Sequence, residues 1–124
     1  MITYQLGAAQ AMARAAGGEV RHFKLHGALS NMASEDADLA RVCYQAALSV
    51  APDIIIMGLA ATAMEVVVRD LGCRWAGEIF ADRAYNDDAT LVDRSIAGSV
   101  RLSPQAAKRI ATLIPTKANI LIFM

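Results

Sequence analysis

Val20-Arg21-His22-Phe23-Lys24-Leu25-His26 alternates in character and runs directly into Gly27-Ala28-Leu29-Ser30-Asn31. In an extended chain, successive side chains point to opposite faces. Val20, His22, Lys24 and His26 therefore share one face, and Arg21, Phe23 and Leu25 the other. Phe23 and Leu25 suit a face covered by helices. The first face is unusually polar for a buried strand, so it is expected to line a cavity or a solvent-filled mouth. The competing reading is an edge strand with one solvated face. At the junction, KLHGALSN (Lys24 to Asn31) passes from strand to polar turn. A basic group, an imidazole and a tight glycine turn at a strand's end fit a binding site better than packing.

Working outward, helix and strand signals alternate. Thr3 to Ala16 is rich in good helix formers, and Gly17-Gly18 stops that helix. After the first strand, Ser34 reads as an N-cap, with Glu35, Asp36 and Asp38 in a first turn that suits negative charge. Leu39, Val42, Cys43, Ala46, Ala47 and Val50 follow at helical spacing, and Pro52 closes the segment. Ile54-Ile55-Ile56-Met57 is the short apolar run of a parallel strand buried on both faces. A further helix is expected over about 61–71, ended by Gly72, and a strand over 74–80. Residues 81–100 form a polar connection without clear period. Ser103-Pro104 signals a last helix to about Leu113, and 119–124 suits a final strand. This order predicts an α/β fold with a mainly parallel sheet and crossover helices.

The chain has 124 residues, which favours a single domain over 1–124. Lys plus Arg equals Asp plus Glu at 12 each, which argues against nucleic acid or an anionic membrane as main partner. No apolar run approaches the ~20 residues of a membrane span. MITYQLGAAQ lacks the basic start and apolar run of a signal peptide, so the cytoplasm is the expected location. Cys43 and Cys73 match no metal spacing and suggest buried thiols in a reducing compartment.

The second dense polar stretch is EIFADRAYNDDATLVDRS, Glu78 to Ser95. Ligands of parallel sheets bind beyond the carboxyl ends of the strands. Lys24-His26-Gly27 and Asp82-Arg83 both lie at such ends, which places them on one rim. Glu78 falls within the strand and shares a face with Arg74, Ala76 and Phe80. A carboxylate buried there needs a partner, and Lys24 is the natural candidate; a purely structural ion pair is the equal alternative. Asp87-Asp88 fits a solvated turn. Arg83 has the geometry to fork onto a carboxylate or phosphate, but an exposed loop arginine is also common. Tyr85 is either a substrate contact or a packed lid residue. There is no Walker-type phosphate loop and no GxGxxG. His22 and His26 would stand about 13 Å apart at strand rise, too far to grip one ion.

These motifs carry a family likeness. KLHGALSN resembles the Lys-Pro-His-Gly-Ala-Leu-Tyr-Asn motif of the LamB/YcsF family, and EIFADRAYNDDATLVDRS resembles that family's Glu-Val-Phe-Ala-Asp-Arg-Ala-Tyr segment. YQLGAAQAMARAAGG resembles the helix before the first motif. The likeness covers roughly residues 3–100, and the tail 101–124 diverges. Leu25 stands where the family has Pro, Ser30 where it has Tyr, and Ala89 where Gly is common.

Members resemble a seven-stranded (β/α) barrel of the deacetylase-like type and are about twice this length. Their flanking Asn-x-Asp-x-Gly-Glu, Cys-Gly-Phe-His-Ala-Gly-Asp and Cys-Val-His-Gly-Asp segments do not occur here. The resemblance therefore implies the truncated, central part of an incomplete barrel.

The implied activity is that of the prokaryotic 5-oxoprolinase of which this family forms one component: ATP-dependent hydrolysis of 5-oxoproline to L-glutamate, shared with B and C subunits. It implies ATP as cofactor, with a divalent metal of unknown ligands as a further option. Lys24, His26 and Glu78 would be catalytic, and Gly27, Asn31, Asp82, Arg83 and Tyr85 would contact substrate or nucleotide. The alternatives are an inactive fragment acting by association, or a metal-dependent amide hydrolase of the deacetylase-barrel kind. Open sheet edges and uncovered apolar faces predict self-association, most simply a dimer.

Overall fold

The computed structural model describes residues 1–100 and the strand Ile120–Phe123. Helix α1 (Ile2–Ala15) leads into strand β1 (His22–Lys24) and helix α2 (Gly27–Glu35). Helix α3 (Ala37–Val50), β2 (Ile55–Leu59), α4 (Ala63–Asp70) and β3 (Trp75–Phe80) follow, and β4 is Ile120–Phe123. The expected last helix from Ser103 lies outside the described residues.

The strands form one sheet in the order β1-β2-β3-β4, and every neighbouring pair is parallel. Strand order follows chain order without reversal. Right-handed crossovers then put the connecting helices on one side of the sheet, as in an arc of a (β/α) barrel rather than a doubly wound fold. Helices α1, α2, α3 and α4 pack on one another in that single layer, and α4 also packs on β2.

Register assigns the two faces. Lys24 pairs with Met57, which pairs with Ala76, and Leu59 pairs with Glu78. These side chains share the inner face, away from the helices. Phe23, Ile56 and Trp75 are partners on the helix-facing side, where Ile56 is fully buried. Leu25 is buried in that core and Phe23 packs against it, as the alternation predicts.

The ends of α1 follow from its glycines. Gly17 adopts φ +77°, its N–H donates to the Arg14 carbonyl, and the Gly18 N–H donates to that of Ala13. This is a Schellman stop, which needs a residue at ease in the left-handed region.

Four expectations are corrected. Strand β1 covers only His22–Lys24, not Val20 to His26. The polar turn expected after His26 is helix α2: Leu29 and Ala33, four residues apart on one helical face, turn inward, Leu29 packing against the core and Ala33 fully buried in it, while Ala28 and Met32 stay exposed. The cap of α3 is Asp36, whose carboxylate accepts the N–H groups of Asp38 and Leu39 at 2.9 and 3.0 Å. Ser34 instead lies in the last turn of α2, its hydroxyl donating to the Asn31 carbonyl at 2.7 Å. In α3, Val42 is exposed, and Tyr44 takes the buried position.

Tyr44 explains Gly58. A Cβ at Gly58 would lie 3.1 Å from the Tyr44 hydroxyl and 3.3 Å from the Met64 Cβ. The strand accepts a helix this closely only without a side chain there. The Tyr44 hydroxyl is buried with no hydrogen-bond partner among the described residues, and burial pushes its phenol well above the ordinary range. An unsatisfied buried hydroxyl costs about 1–3 kcal/mol. Tyr44→Phe is therefore expected to hold or raise the melting temperature. Gly58→Ala should lower stability by about 1–3 kcal/mol through overpacking, with partial rescue in the Tyr44→Phe background. Thermal melts of the three variants check this, and equal losses for Gly58→Ala in both backgrounds would contradict the packing account.

Candidate functional site

The inner face of the sheet carries an ion pair between the Lys24 ammonium and the Glu78 carboxylate. Glu78 is only 2% exposed. Lys24 reaches over β2 from the end of β1, above the apolar floor of Met57 and Leu59. Its ammonium also sits 5.0 Å from the centre of the Phe80 ring, a cation–π distance. A buried carboxylate is tolerated only with such partners.

Beyond Lys24, His26 is exposed and extended (φ −130°, ψ 157°), and it precedes α2 without capping it through its side chain. Gly27 opens the helix at φ +61°, with open space where a Cβ would stand. The first-turn N–H groups of α2 thus lie at the carboxyl end of β1, one residue beyond the imidazole. An uncapped helix start carries partial positive charge and attracts anions. Asn31 is exposed on α2, further from the strand end.

Residues 81–100 leave the end of β3 as a strap pinned to itself and to the sheet. The Phe80 N–H donates to the Tyr85 hydroxyl at 2.6 Å, and that hydroxyl lies 3.4 Å from the Phe80 carbonyl, which can accept its proton. Arg83 is buried, its guanidinium donating to the carbonyls of Val92 (2.7 Å) and Ser99 (3.4 Å). Antiparallel bridges join Arg83 to Val100 and Tyr85 to Leu91. Burial pushes the Tyr85 phenol up, opposed by the Phe80 N–H; the charges of Glu78, Arg83 and Asp82 also act on it. The charges of Glu78, Asp82 and Arg83 are thus within electrostatic reach of the Tyr85 phenol. Asp82 is half-buried. Asp87 and Asp88 are exposed, as a solvated turn requires, and Asp88 accepts from the Thr90 N–H and hydroxyl at 3.0 and 2.6 Å. Ala89 adopts φ +67°, the left-handed region where glycine is at ease.

The tip of the strap faces the start of α4 across an open cleft of about 800 Å³, lined by Glu35, Thr62, Glu65, Asp88 and Thr90 among others. The Thr62-x-x-Glu65 spacing is a helix-start signature that the sequence expectations above do not include. Thr62 caps α4, accepting the Met64 N–H at 3.3 Å. Glu65 accepts the Ala61 N–H at 2.7 Å and two donors of Arg69 at 2.9 and 2.7 Å. Among the described residues, no three His, Cys, Asp or Glu side chains are grouped so as to hold a metal ion. Both cysteines are free, and burial pushes their thiols up, away from a reactive thiolate.

The LamB/YcsF family model matches residues 1–121. The 5-oxoprolinase A-subunit protein of Ruegeria pomeroyi is 65% identical over 107 residues, which is 86% of this chain and 42% of that protein. Its counterpart of the same name in Coprothermobacter proteolyticus is 44% identical over 115 residues, 92% of this chain and 44% of that protein. The chain thus spans less than half the length of the curated relatives it matches. Among solved structures, the lactam utilization protein of Thermus thermophilus superposes with a TM-score of 0.81 at 30% identity, covering 98% of this chain and 55% of that one.

Burial works against ionising Glu65, but the Ala61 N–H and Arg69 prevail and hold its carboxyl below the ordinary 4.5. A depressed folded-state value adds stability above pH 4.5 that is lost as the pH falls through it. Glu65→Gln is expected to cost about 0.5–1 kcal/mol at pH 7, given an exposed Arg69 partner. Urea melts should show the difference closing below pH 4.5; a gap constant from pH 7 to 3 would refute it.

Proposed function

The chain belongs to the LamB/YcsF family, and from that premise we propose that it supplies the strand-end rim of the 5-oxoprolinase component that this family provides. In this reading it takes part in ATP-dependent hydrolysis of 5-oxoproline to L-glutamate, with B and C subunits, in the cytoplasm. The observation that supports it best is the Lys24–Glu78 pair, buried on the inner face at the carboxyl end of parallel strands. The first family motif supplies the lysine and the second the glutamate.

The chemistry follows from the side chains. A lactam carbonyl is a poor electrophile, and ring opening needs charge stabilised on its oxygen and a proton delivered to its nitrogen. Lys24 offers a cation for the developing negative charge, aimed by Glu78 and the Phe80 ring. Glu78 holds that ammonium in place through the ion pair. His26, exposed at the rim and next in line beyond Lys24, is assigned the proton transfer. Asp82, two residues beyond the end of β3, and Asn31 on α2 are assigned to substrate contact.

Phosphate-bearing ligands fit the rim in one respect: α2 starts uncapped at Gly27, whose backbone is open to close approach. Gly27, the neighbouring N–H groups of α2 and Lys24 would hold a phosphate of ATP. When bound, ATP supplies the group-transfer energy that makes the lactam carbonyl susceptible to attack. The same donors suit the carboxylate of 5-oxoproline.

The surface of α1 supports association with another polypeptide. Tyr4 and Met12 are 80% and 74% exposed on a helix whose one charged residue is Arg14. A solvated helix normally carries a charged face.

Two measurements test this function. Glutamate release from 5-oxoproline, with ATP and the B and C subunits of a relative, should fall at least about 100-fold in His26→Asn. It should be abolished in Lys24→Met with Glu78→Leu, which removes the pair without stranding a charge. Absence of turnover in the unsubstituted chain, while a full-length relative works in the same assay, would retire the catalytic reading and leave association alone. Sedimentation at micromolar concentration is expected to show a species larger than a monomer, and Tyr4→Lys with Met12→Glu should shift it to monomer. A monomer before substitution contradicts self-association.

A further inference from the structure

We propose that Tyr85 and Arg83 are positioning residues: they fasten the 81–100 strap to main-chain groups and thereby hold the Phe80 ring beneath the Lys24 ammonium. Residues of these types at a strand end invite a ligand-contact role. The Tyr85 hydroxyl and the Arg83 Nε and Nη2 instead meet backbone groups.

The ladder between β2 and β3 shows why Tyr85 matters. Its last rung is the Ala60 N–H donating to the Glu78 carbonyl at 3.0 Å. The next donor along β3 is the Phe80 N–H, and the Tyr85 hydroxyl receives it at 2.6 Å. The phenol thus takes over where the strand partner ends. On its β4 side Phe80 pairs with Phe123, and its carbonyl accepts the Arg83 N–H at 3.4 Å; on the β2 side the Tyr85 hydroxyl anchors the backbone of this residue, whose ring lies 5.0 Å from the Lys24 ammonium. Lys24 in turn pairs with Glu78, two residues back on the same strand.

Arg83 holds the other end of the arrangement. The strap must return for Tyr85 to keep its place, and the Arg83 guanidinium ties Val92 and Ser99 to the strap's start. Backbone bonds continue the closure: the Ala84 N–H donates to the Ser99 carbonyl at 2.9 Å, and the Val92 N–H to that of Ala84 at 3.1 Å. A lysine at 83 keeps the charge but has no planar fork to reach two carbonyls at once.

That Lys24 and Glu78 are the working pair rests on the function proposed above; that the strap positions Lys24 does not. The test accordingly reads Lys24 directly. The intact chain is treated with an amine-acylating reagent at pH 8, and modification of Lys24 is followed by mass spectrometry against added lysine-containing peptides as references. Tyr85→Phe keeps the ring and removes the hydroxyl; Arg83→Lys is the second variant should the first fold poorly. In variants that retain the far-UV spectrum and melt well above the labelling temperature, Lys24 is expected to react at least about five-fold faster relative to the references. Equal relative rates in both folded variants would overturn the proposal.

In the reconstituted 5-oxoproline assay, the variants should lower kcat with KM within two-fold of the unsubstituted chain. A raised KM with unchanged kcat and unchanged Lys24 labelling would instead make Tyr85 a substrate contact and overturn the positioning role. Loss of all turnover in the unsubstituted chain would retire the function while leaving the labelling result decisive.

Discussion

A carboxylate buried inside a parallel sheet sets the terms for the rest of this structure. Glu78 has almost no contact with water, and an unpaired charge in that position would be strongly destabilising. The remedy is long-range: a lysine from β1 crosses β2 to reach it. That crossing requires three parallel strands in register, a low apolar floor at Met57 and Leu59, and an aromatic ring beyond the carboxylate. Strand order, inner-face composition and the placement of the strap can all be traced to satisfying this pair. The helix-facing side answers a different demand, close packing, which Gly58 meets by having no side chain under Tyr44.

Much of this is visible in the sequence because two simple periods govern it. Alternation assigns Lys24 and Glu78 to single faces of their strands, and a buried carboxylate's need for a cation makes their pairing foreseeable. The parallel arrangement follows from helices inserted between short apolar runs. Helix α2 is harder to see. Its glycine opening and polar surface look like a turn, and its stripe is too short to outweigh them, so Ser34 is taken for the cap that Asp36 provides. Tyr44 escapes for another reason. Helical spacing allows Val42 or Tyr44 to face inward, and only the packing of α3 in the core decides between them.

The rim divides along the same line. Residue type places a lysine, a histidine and an acidic–basic pair at strand ends, and topology brings them to one side. What no local pattern conveys is which polar atoms remain available. Arg83 and Tyr85 have the chemistry of ligand contacts, yet their partners lie up to 16 residues along the chain and are backbone groups. Backbone carbonyls and N–H groups have no signature in the sequence. A side chain that binds them is therefore indistinguishable, on paper, from one waiting for a ligand.

Because Arg83 grips carbonyl oxygens, the identities of residues 92 and 99 are irrelevant to its hold. Any amino acid presents the same oxygen there. The loop can accordingly drift in composition along its outer surface while its closure survives, so that a rim built this way is free to explore new contacts without first risking its own shape.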